Sequence, residues 1–261
     1  VKQLHSIETF LLDLDGTIYL GDRLFPWSLP FVETMRKLGK SFIFVTNNSS
    51  KNSGYYVDKL KKMGIEIDAH QVFTAGQATI FYLKKYNYPR ELYLVGTPSL
   101  EKEFTEAGFV LTSKDPKAVV LGFDLTLTYE KLRLACQFIR RGLPFIATHP
   151  DLNCPTPEGP IPDCGSMTAL ITAATGVEAK IIGKPYPEMI AAIQAKFDLQ
   201  EPQTVAMVGD RLYTDIAMAQ AAGIVSILVL SGEAQLKDLE TSRIQPDLVV
   251  EHLGRITEAL T

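Results

Sequence analysis

The apolar residues of this chain fall in short, unbroken, β-branched runs: FLLDL, SFIFVT, ELYLVG, AVVLGF, PFIAT, TVAMVGD and IVSILVL. Most are continuous rather than alternating, the pattern of strands buried on both faces of a parallel sheet. Between several of them lie segments with helical periodicity, at residues 29–38, 53–63, 100–107, 129–141 and 187–197. Strand–helix alternation of this kind predicts an α/β fold with a mainly parallel sheet. Ligands of such sheets bind beyond the carboxyl ends of the strands, so the residues that follow each run are where chemistry is expected.

One segment breaks the pattern. Residues 149–166, HPDLNCPTPEGPIPDCGS, hold five prolines and two glycines and read as neither a helix nor a central strand. A long irregular loop is expected here, of the sort that tends to carry function. The SMTALITAAT stretch that closes it reads as a short helix.

Composition narrows the class. With 261 residues, 46% apolar and 21% charged, the chain is an ordinary globular protein large enough for one sizeable domain or two smaller ones. A net charge of −4 gives no basic surplus for nucleic acid or an anionic membrane. No apolar run approaches the length of a membrane span, and VKQLHSIETF lacks the apolar segment of a signal peptide, so a cytoplasmic location is the expectation. The three cysteines, Cys136, Cys154 and Cys164, form no metal motif or disulfide framework and are expected as free thiols.

Candidate chemistry begins at DLDGT, residues 13–17, where two carboxylates close an apolar run. Asp-Gly between apolar residues is a hairpin signal, and that reading stays open. An EF-hand loop does not fit, because the ligand positions before the glycine and the terminal glutamate are missing. The third reading is a catalytic pair. Residues two apart on a strand point to the same side, so Asp13 and Asp15 would both face the site. Like charges that close raise one pKa unless a cation such as Mg2+ offsets them. Asp13 would then be a nucleophile toward phosphorus, and Asp15, carrying a proton, a donor to the leaving oxygen. Residues 18–25 read as a small hairpin of their own, placed to act as a flap.

Three further strand ends bear on this. SFIFVTNNSS ends in Thr46, Asn47, Asn48 and Ser49, either a cradle for a phosphoryl group or a simple helix N-cap cluster. KIIGKPYP places Lys184 after an apolar run, either as a phosphate-neutralising cation or as a solvated lysine; no P-loop pattern is present. TVAMVGDRLYTDI places Asp210 at a strand end as a metal carboxylate, with Asp215 as a helix N-cap, a supporting metal partner, or both.

DLDGT, TNNSS, GKP and GDRLYTD, in that order, resemble the four motifs of the haloacid dehalogenase-like phosphohydrolases. GDRLYTD and the ATHPD…GPIPDCGS region look like the NagD or p-nitrophenylphosphatase branch. The resemblance implies a Rossmann-like parallel-sheet core and a Mg2+-dependent phosphatase. Asp13 would become the aspartyl-phosphate, and Asp15 would be general acid and then base. Thr46, Asn47 and Lys184 would bind the phosphoryl group. The metal would take the carboxylates of Asp13 and Asp210 and the main-chain carbonyl of Asp15, with Asp215 supporting it. Too little chain separates DLDGT from TNNSS for a domain, whereas roughly a hundred residues beyond the core's needs lie between Thr46 and Lys184, a typical small domain. The expected organisation is a discontinuous core, residues 1–78 and 181–261, with an inserted α/β cap at 79–180 that selects substrates.

The proline-rich loop then either only shapes the cap or brings Asp151, Asn153, Cys154 and Ser166 to the leaving group as candidate specificity residues, with Asn48 of TNNSS as a further candidate. Some pyridoxal-phosphate-directed relatives look to have a histidine where Cys154 stands, which argues against that substrate. His149 reads either as a substrate contact or, more commonly for a lone histidine, as structural. The expected partner is a small-molecule phosphate ester such as a sugar phosphate, a nucleotide or p-nitrophenyl phosphate, and the family is compatible with a homodimer. Two alternatives are a phosphotransferase or phosphomutase on the same core and a phosphate-binding regulator without turnover. Intact Asp13, Asp15, Lys184 and Asp210 argue against the regulator.

Overall fold

The computed structural model describes residues 2–156 and 158–261 and divides into two compact units. The first comprises the chain up to Thr46, Ser53–Phe73 and Ile193–Thr261. Its sheet runs in the order Leu248–Val250, Val225–Val229, Val205–Gly209, Thr9–Leu12, Ser41–Thr46 and Val72–Thr74. The first five of these are mutually parallel. Thr9–Leu12, Ser41–Thr46 (beyond its exposed first residue), Val205–Gly209 and Val225–Val229 are buried along their length, which is why the sequence shows them as unbroken apolar runs.

Helix Ser28–Lys37 buries Phe31, Val32 and Met35 at helical spacing, and helix Leu253–Leu260 buries Leu253, Ile256 and Leu260. The two helices pack together in a core that includes Phe10, Leu12, Phe44, Val208 and Ile227. Phe10 meets Phe31 edge-on at 5.8 Å, and each such ring contributes about 1.5–3 kcal/mol by leaving water. The expected small hairpin is present as an antiparallel pair, Tyr19–Leu20 with Arg23–Leu24.

Strand Thr9–Leu12 is flanked on one side by Ser41–Thr46, next in sequence among the sheet's strands, and on the other by Val205–Gly209 from far along the chain. The strand order therefore reverses direction here. At such a switch point the connections leave on opposite sides and open a crevice beyond the carboxyl ends.

The second unit comprises Asn47–Asn52 and Thr74–Ala192. Its sheet, in the order Lys180–Ile181, Phe145–Ala147, Ala118–Leu121, Glu91–Val95 and Val110–Leu111, is parallel throughout. Helices Tyr129–Arg140 and Cys164–Thr175 pack over a separate core of Val95, Val119, Leu121, Phe138, Phe145 and Ile171. The short loop Asn47–Asn52 is stitched into this unit by hydrogen bonds. Ser49 Oγ accepts from the Phe123 N–H at 2.9 Å, Thr97 Oγ1 donates to the Ser50 carbonyl at 2.7 Å, and Ser99 Oγ accepts from the Asn52 N–H at 3.1 Å.

The proline-rich segment differs from expectation in one respect. It is not wholly irregular: Asn153–Cys154 pairs antiparallel with Ile161–Pro162. Two-residue strands at a sheet edge leave a proline without a ladder bond to lose, so Pro162 is tolerated. The short helix expected after it is Cys164–Thr175, capped by Asp163, whose Oδ1 accepts from the Cys164 N–H at 2.6 Å.

Candidate active site

The carboxyl ends at the switch point carry the acidic residues. Asp13 follows strand Thr9–Leu12, and its N–H donates to the Val208 carbonyl at 2.9 Å, extending the ladder by one residue. Asp210 follows the neighbouring strand Val205–Gly209. Asp215, fully buried, lies inside the wide helical turn Leu212–Ile216 and not ahead of it; its Oδ2 accepts from the Arg211 N–H at 3.3 Å. Carboxylate oxygens of Asp13, Asp210 and Asp215 lie within 4.8 Å of one another.

The surroundings of Asp210 explain how it is held. Its Oδ2 accepts from the Glu233 N–H at 2.7 Å, while its Oδ1 is buried with no hydrogen-bond partner among the described residues. A Cβ on Gly232 would sit 2.0 Å from Oδ2 and one on Gly16 2.3 Å from it, so both neighbours must lack a side chain. Gly16 also has φ +87°, the left-handed region that favours glycine, and Ser231 Oγ pins its carbonyl at 2.7 Å. Burial, then the charge of Asp215, push the Asp210 carboxyl up to about 7. Several carboxylates in so small a buried space, one with an orphaned oxygen, form a hard-oxygen donor set that fits a divalent cation such as Mg2+.

Asp15 is half-buried next to the flap. The Gly16 N–H donates to the Tyr19 carbonyl at 2.8 Å, and Asp15 bridges to Tyr19. Tyr19 is fully buried, and its hydroxyl has no partner among the described residues. Burial first, then the charge of Asp15, hold its pKa well above the ordinary value. Lys59 lies over the ring, with Nζ 3.8 Å from the centroid and 4.0 Å from Asp22 Oδ1. Thr46 is buried at the carboxyl end of Ser41–Thr46. Sequence reasoning placed the flap but missed Tyr19 and Lys59 as its fastening, because a ring–ammonium contact across forty residues leaves no local signal.

In the second unit Lys184 is 2% exposed, which separates it from the solvated-lysine reading. Its main chain is bracketed by the Asn47 side chain. Asn48 Oδ1 accepts from the Ser50 N–H and Oγ–H at 2.9 and 2.7 Å, a local turn. Asp151 Oδ1 accepts from Asn47 at 3.1 Å. Asn153 is exposed and Cys154 half-buried on the small hairpin, and Ser166 Oγ donates to the Leu152 carbonyl at 2.6 Å. His149 is fully buried, with Nε2 2.9 Å from Asp163 Oδ1 and Nδ1 2.9 Å from Thr148 Oγ1. Burial is the largest influence on it and disfavours its charge, but the Asp163 carboxylate outweighs that and raises its pKa. Burial pushes the Cys164 thiol up to about 11, and all three cysteines are free. Among the described residues no helix is long and apolar enough to cross a membrane.

A parallel α/β sheet with carboxylates gathered beyond two adjacent central strands defines an α/β enzyme whose site is built on acidic residues and suited to a cation. Comparison with known proteins makes the class specific. Residues 10–110 match the model of the haloacid dehalogenase-like hydrolases, and residues 181–256 a second, HAD-hydrolase-like model. An acid sugar phosphatase of Staphylococcus aureus is 33% identical over 93% of this chain and 94% of its own length. The structure of a 4-nitrophenylphosphatase from Thermotoga maritima superposes with a TM-score of 0.95, at 47% identity and 99% coverage of both chains. NagD from Escherichia coli K-12 gives 0.89 at 27% identity, covering 95% of this chain and 97% of its own. The chain belongs to the haloacid dehalogenase-like hydrolases.

Proposed function

We propose that this hydrolase is a phosphatase that removes phosphate from small-molecule phosphomonoesters through a covalent intermediate on Asp13. The observation that carries the reading is the convergence of Asp13, Asp210 and Asp215 beyond the central strands, with one Asp210 oxygen buried and without a hydrogen-bond partner among the described residues. Sugar and aryl phosphates are the first substrates to try, given the acid sugar phosphatase and 4-nitrophenylphosphatase named among its relatives.

In this reading an Asp13 carboxylate oxygen attacks phosphorus and the bond to the leaving oxygen breaks. Asp15 gives that oxygen its proton, then takes one from the water that cleaves the acyl phosphate, returning both carboxyl groups to their starting states. Thr46 donates to a phosphoryl oxygen and Lys184 supplies positive charge. The side-chain hydrogen bonds of Asn47 go elsewhere, so any phosphoryl contact it makes is through its main-chain N–H. The carboxylates of Asp13 and Asp210 and the carbonyl of Asp15 would hold Mg2+, with Asp215 in support. When bound, Mg2+ offsets the carboxylate charge and polarises the phosphoryl oxygens. Tyr19, held under Lys59, keeps the flap beside Asp15. The inserted segment, 79–180 by sequence, is proposed to select substrates through residues such as Asp151, Asn153, Cys154 and Ser166, together with Asn48 of the TNNSS stretch.

The test is phosphate release from a panel of phosphomonoesters with Mg2+, with EDTA, and with Asp13→Asn. Release that requires the metal and disappears in Asp13→Asn is expected. A folded, Mg2+-binding protein that releases phosphate from none of them would overturn hydrolysis.

A further inference from the structure

The Asn47 side chain is buried, and each of its hydrogen-bonding groups is committed. Oδ1 accepts from the Lys184 N–H at 2.8 Å. Nδ2 donates to the Lys184 carbonyl at 2.9 Å and to Asp151 Oδ1 at 3.1 Å. The first two bonds make a two-point clasp on a single residue's main chain, the pattern one strand residue uses to hold another. The third prevents the amide from turning over. Reversing it would set Oδ1 against the Lys184 carbonyl and the Asp151 carboxylate, so the partners fix its orientation. Close approach is possible because residue 183 is glycine: a Cβ there would lie 2.7 Å from Asn47 Oδ1 and 2.7 Å from the Thr148 carbonyl.

This arrangement is out of proportion to a need for stability alone. Lys184 lies in an irregular stretch between strand Lys180–Ile181 and helix Pro187–Phe197, with no ladder or helix of its own to fix it. Its side chain is nonetheless buried, where a charged ammonium is costly unless its surroundings compensate it, so where that ammonium is held matters. Asn47 is also the residue directly after Thr46.

We propose that Asn47 is a positioning residue, whose amide clasps the main chain of Lys184 and thereby aims the Lys184 ammonium, with Asp151 locking the amide. The inference rests on the phosphatase reading for what Lys184 does, but not for the clasp itself. It gives TNNSS and GKP, motifs 137 positions apart, a direct mechanical link.

The experiment is a double-mutant cycle of Asn47→Ala and Lys184→Ala, with kcat and KM measured separately on p-nitrophenyl phosphate and orthophosphate affinity measured by titration calorimetry. Asn47→Ala is expected to lower kcat/KM about 10- to 100-fold, mostly in kcat, since displacing a catalytic group by about 1 Å costs that much. In the Lys184→Ala background the same change should add less than about twofold, because the group it aims is gone. Effects that multiply in both turnover and phosphate affinity would overturn the proposal. Asn47→Asp keeps the acceptor and the volume but loses both donated bonds, and should fall with Asn47→Ala; it also serves if the alanine variant does not fold.

A readout independent of turnover separates this inference from the phosphatase reading. The Lys184 amide should exchange slowly with solvent deuterium in the parent and at least about tenfold faster in Asn47→Ala. A parent without phosphatase activity but with this change would sink the function and keep the clasp. Unchanged exchange would sink the clasp whatever the activity.

Discussion

Asp210 shows how one residue's environment sets what it can do. Its carboxyl is held at about 7 by burial and by Asp215, against roughly 4 for the unfolded chain. Between those values the metal-free folded protein holds a proton that the unfolded chain has lost. Its contribution is therefore fully present below about pH 4 and is lost as pH rises through 7, so metal-free stability falls over that window. Asp210→Asn removes the ionisation. Metal-free Asp210→Asn should melt several degrees higher than the parent at pH 8 and close to it at pH 4, and Mg2+ should no longer raise its Tm. A parent Tm that climbs steadily from pH 4 to 7 without metal would contradict this. At the same scale, Asp13, Asp15 and Asp210 were legible because each ends an apolar run. Lys184 was legible only as two options, which burial separates. Asn47 could be read as polar and well placed, but not as the clasp on a residue so far along the chain.

Among the elements, helix Cys164–Thr175 begins on a residue with two duties. Asp163 caps the helix and also faces the buried His149. Asp163→Ala should destabilise the second unit by about 3–5 kcal/mol, the usual cost of stripping a partner from a buried pair. Because the pKa of His149 is raised, the pair contributes fully below about pH 6.5 and fades as pH rises through the folded value. Chemical denaturation at pH 6 and pH 9 should therefore show the larger loss at pH 6. The flap gives a second case: Lys59→Met removes the ammonium over Tyr19, worth about 0.5–2 kcal/mol. Amides of residues 19–24 should then exchange about 2- to 30-fold faster; unchanged exchange would mean that Lys59 does not fasten the hairpin. The long buried strands were legible as runs of apolar residues. Val72–Thr74, Val110–Leu111, Lys180–Ile181 and Leu248–Val250 were not, since two or three residues carry no period and Val110 is half exposed. The small hairpin at Asn153–Cys154 was hidden by its prolines.

On the scale of the whole molecule, each unit has its own sheet and its own core, so a single all-or-none transition is not the expectation. The acidic cluster belongs to the first unit alone. Saturating Mg2+, at about 100 times its Kd, should stabilise that unit by about 2.7 kcal/mol. Hydrogen exchange should show the added protection in Thr9–Leu12 and Val205–Gly209 and little of it in Ala118–Leu121 and Phe145–Ala147. Equal protection in both sheets, or none, would contradict a metal site built on Asp13 and Asp210.

The central place of strand Thr9–Leu12 also has a consequence for synthesis. Its neighbour Val205–Gly209 leaves the ribosome just under 200 residues later, roughly 10–40 s at 5–20 residues per second. For that interval the nascent chain carries Asp13 without Asp210, and an apolar strand with one side open to pairing with other chains. The second unit, nearly all of it the single stretch Thr74–Ala192, can be complete before then. Newly made chains should depend on chaperones most while the earliest strand waits for its partner, and slowing translation within residues 74–192 should lengthen that exposure and lower the yield of soluble protein.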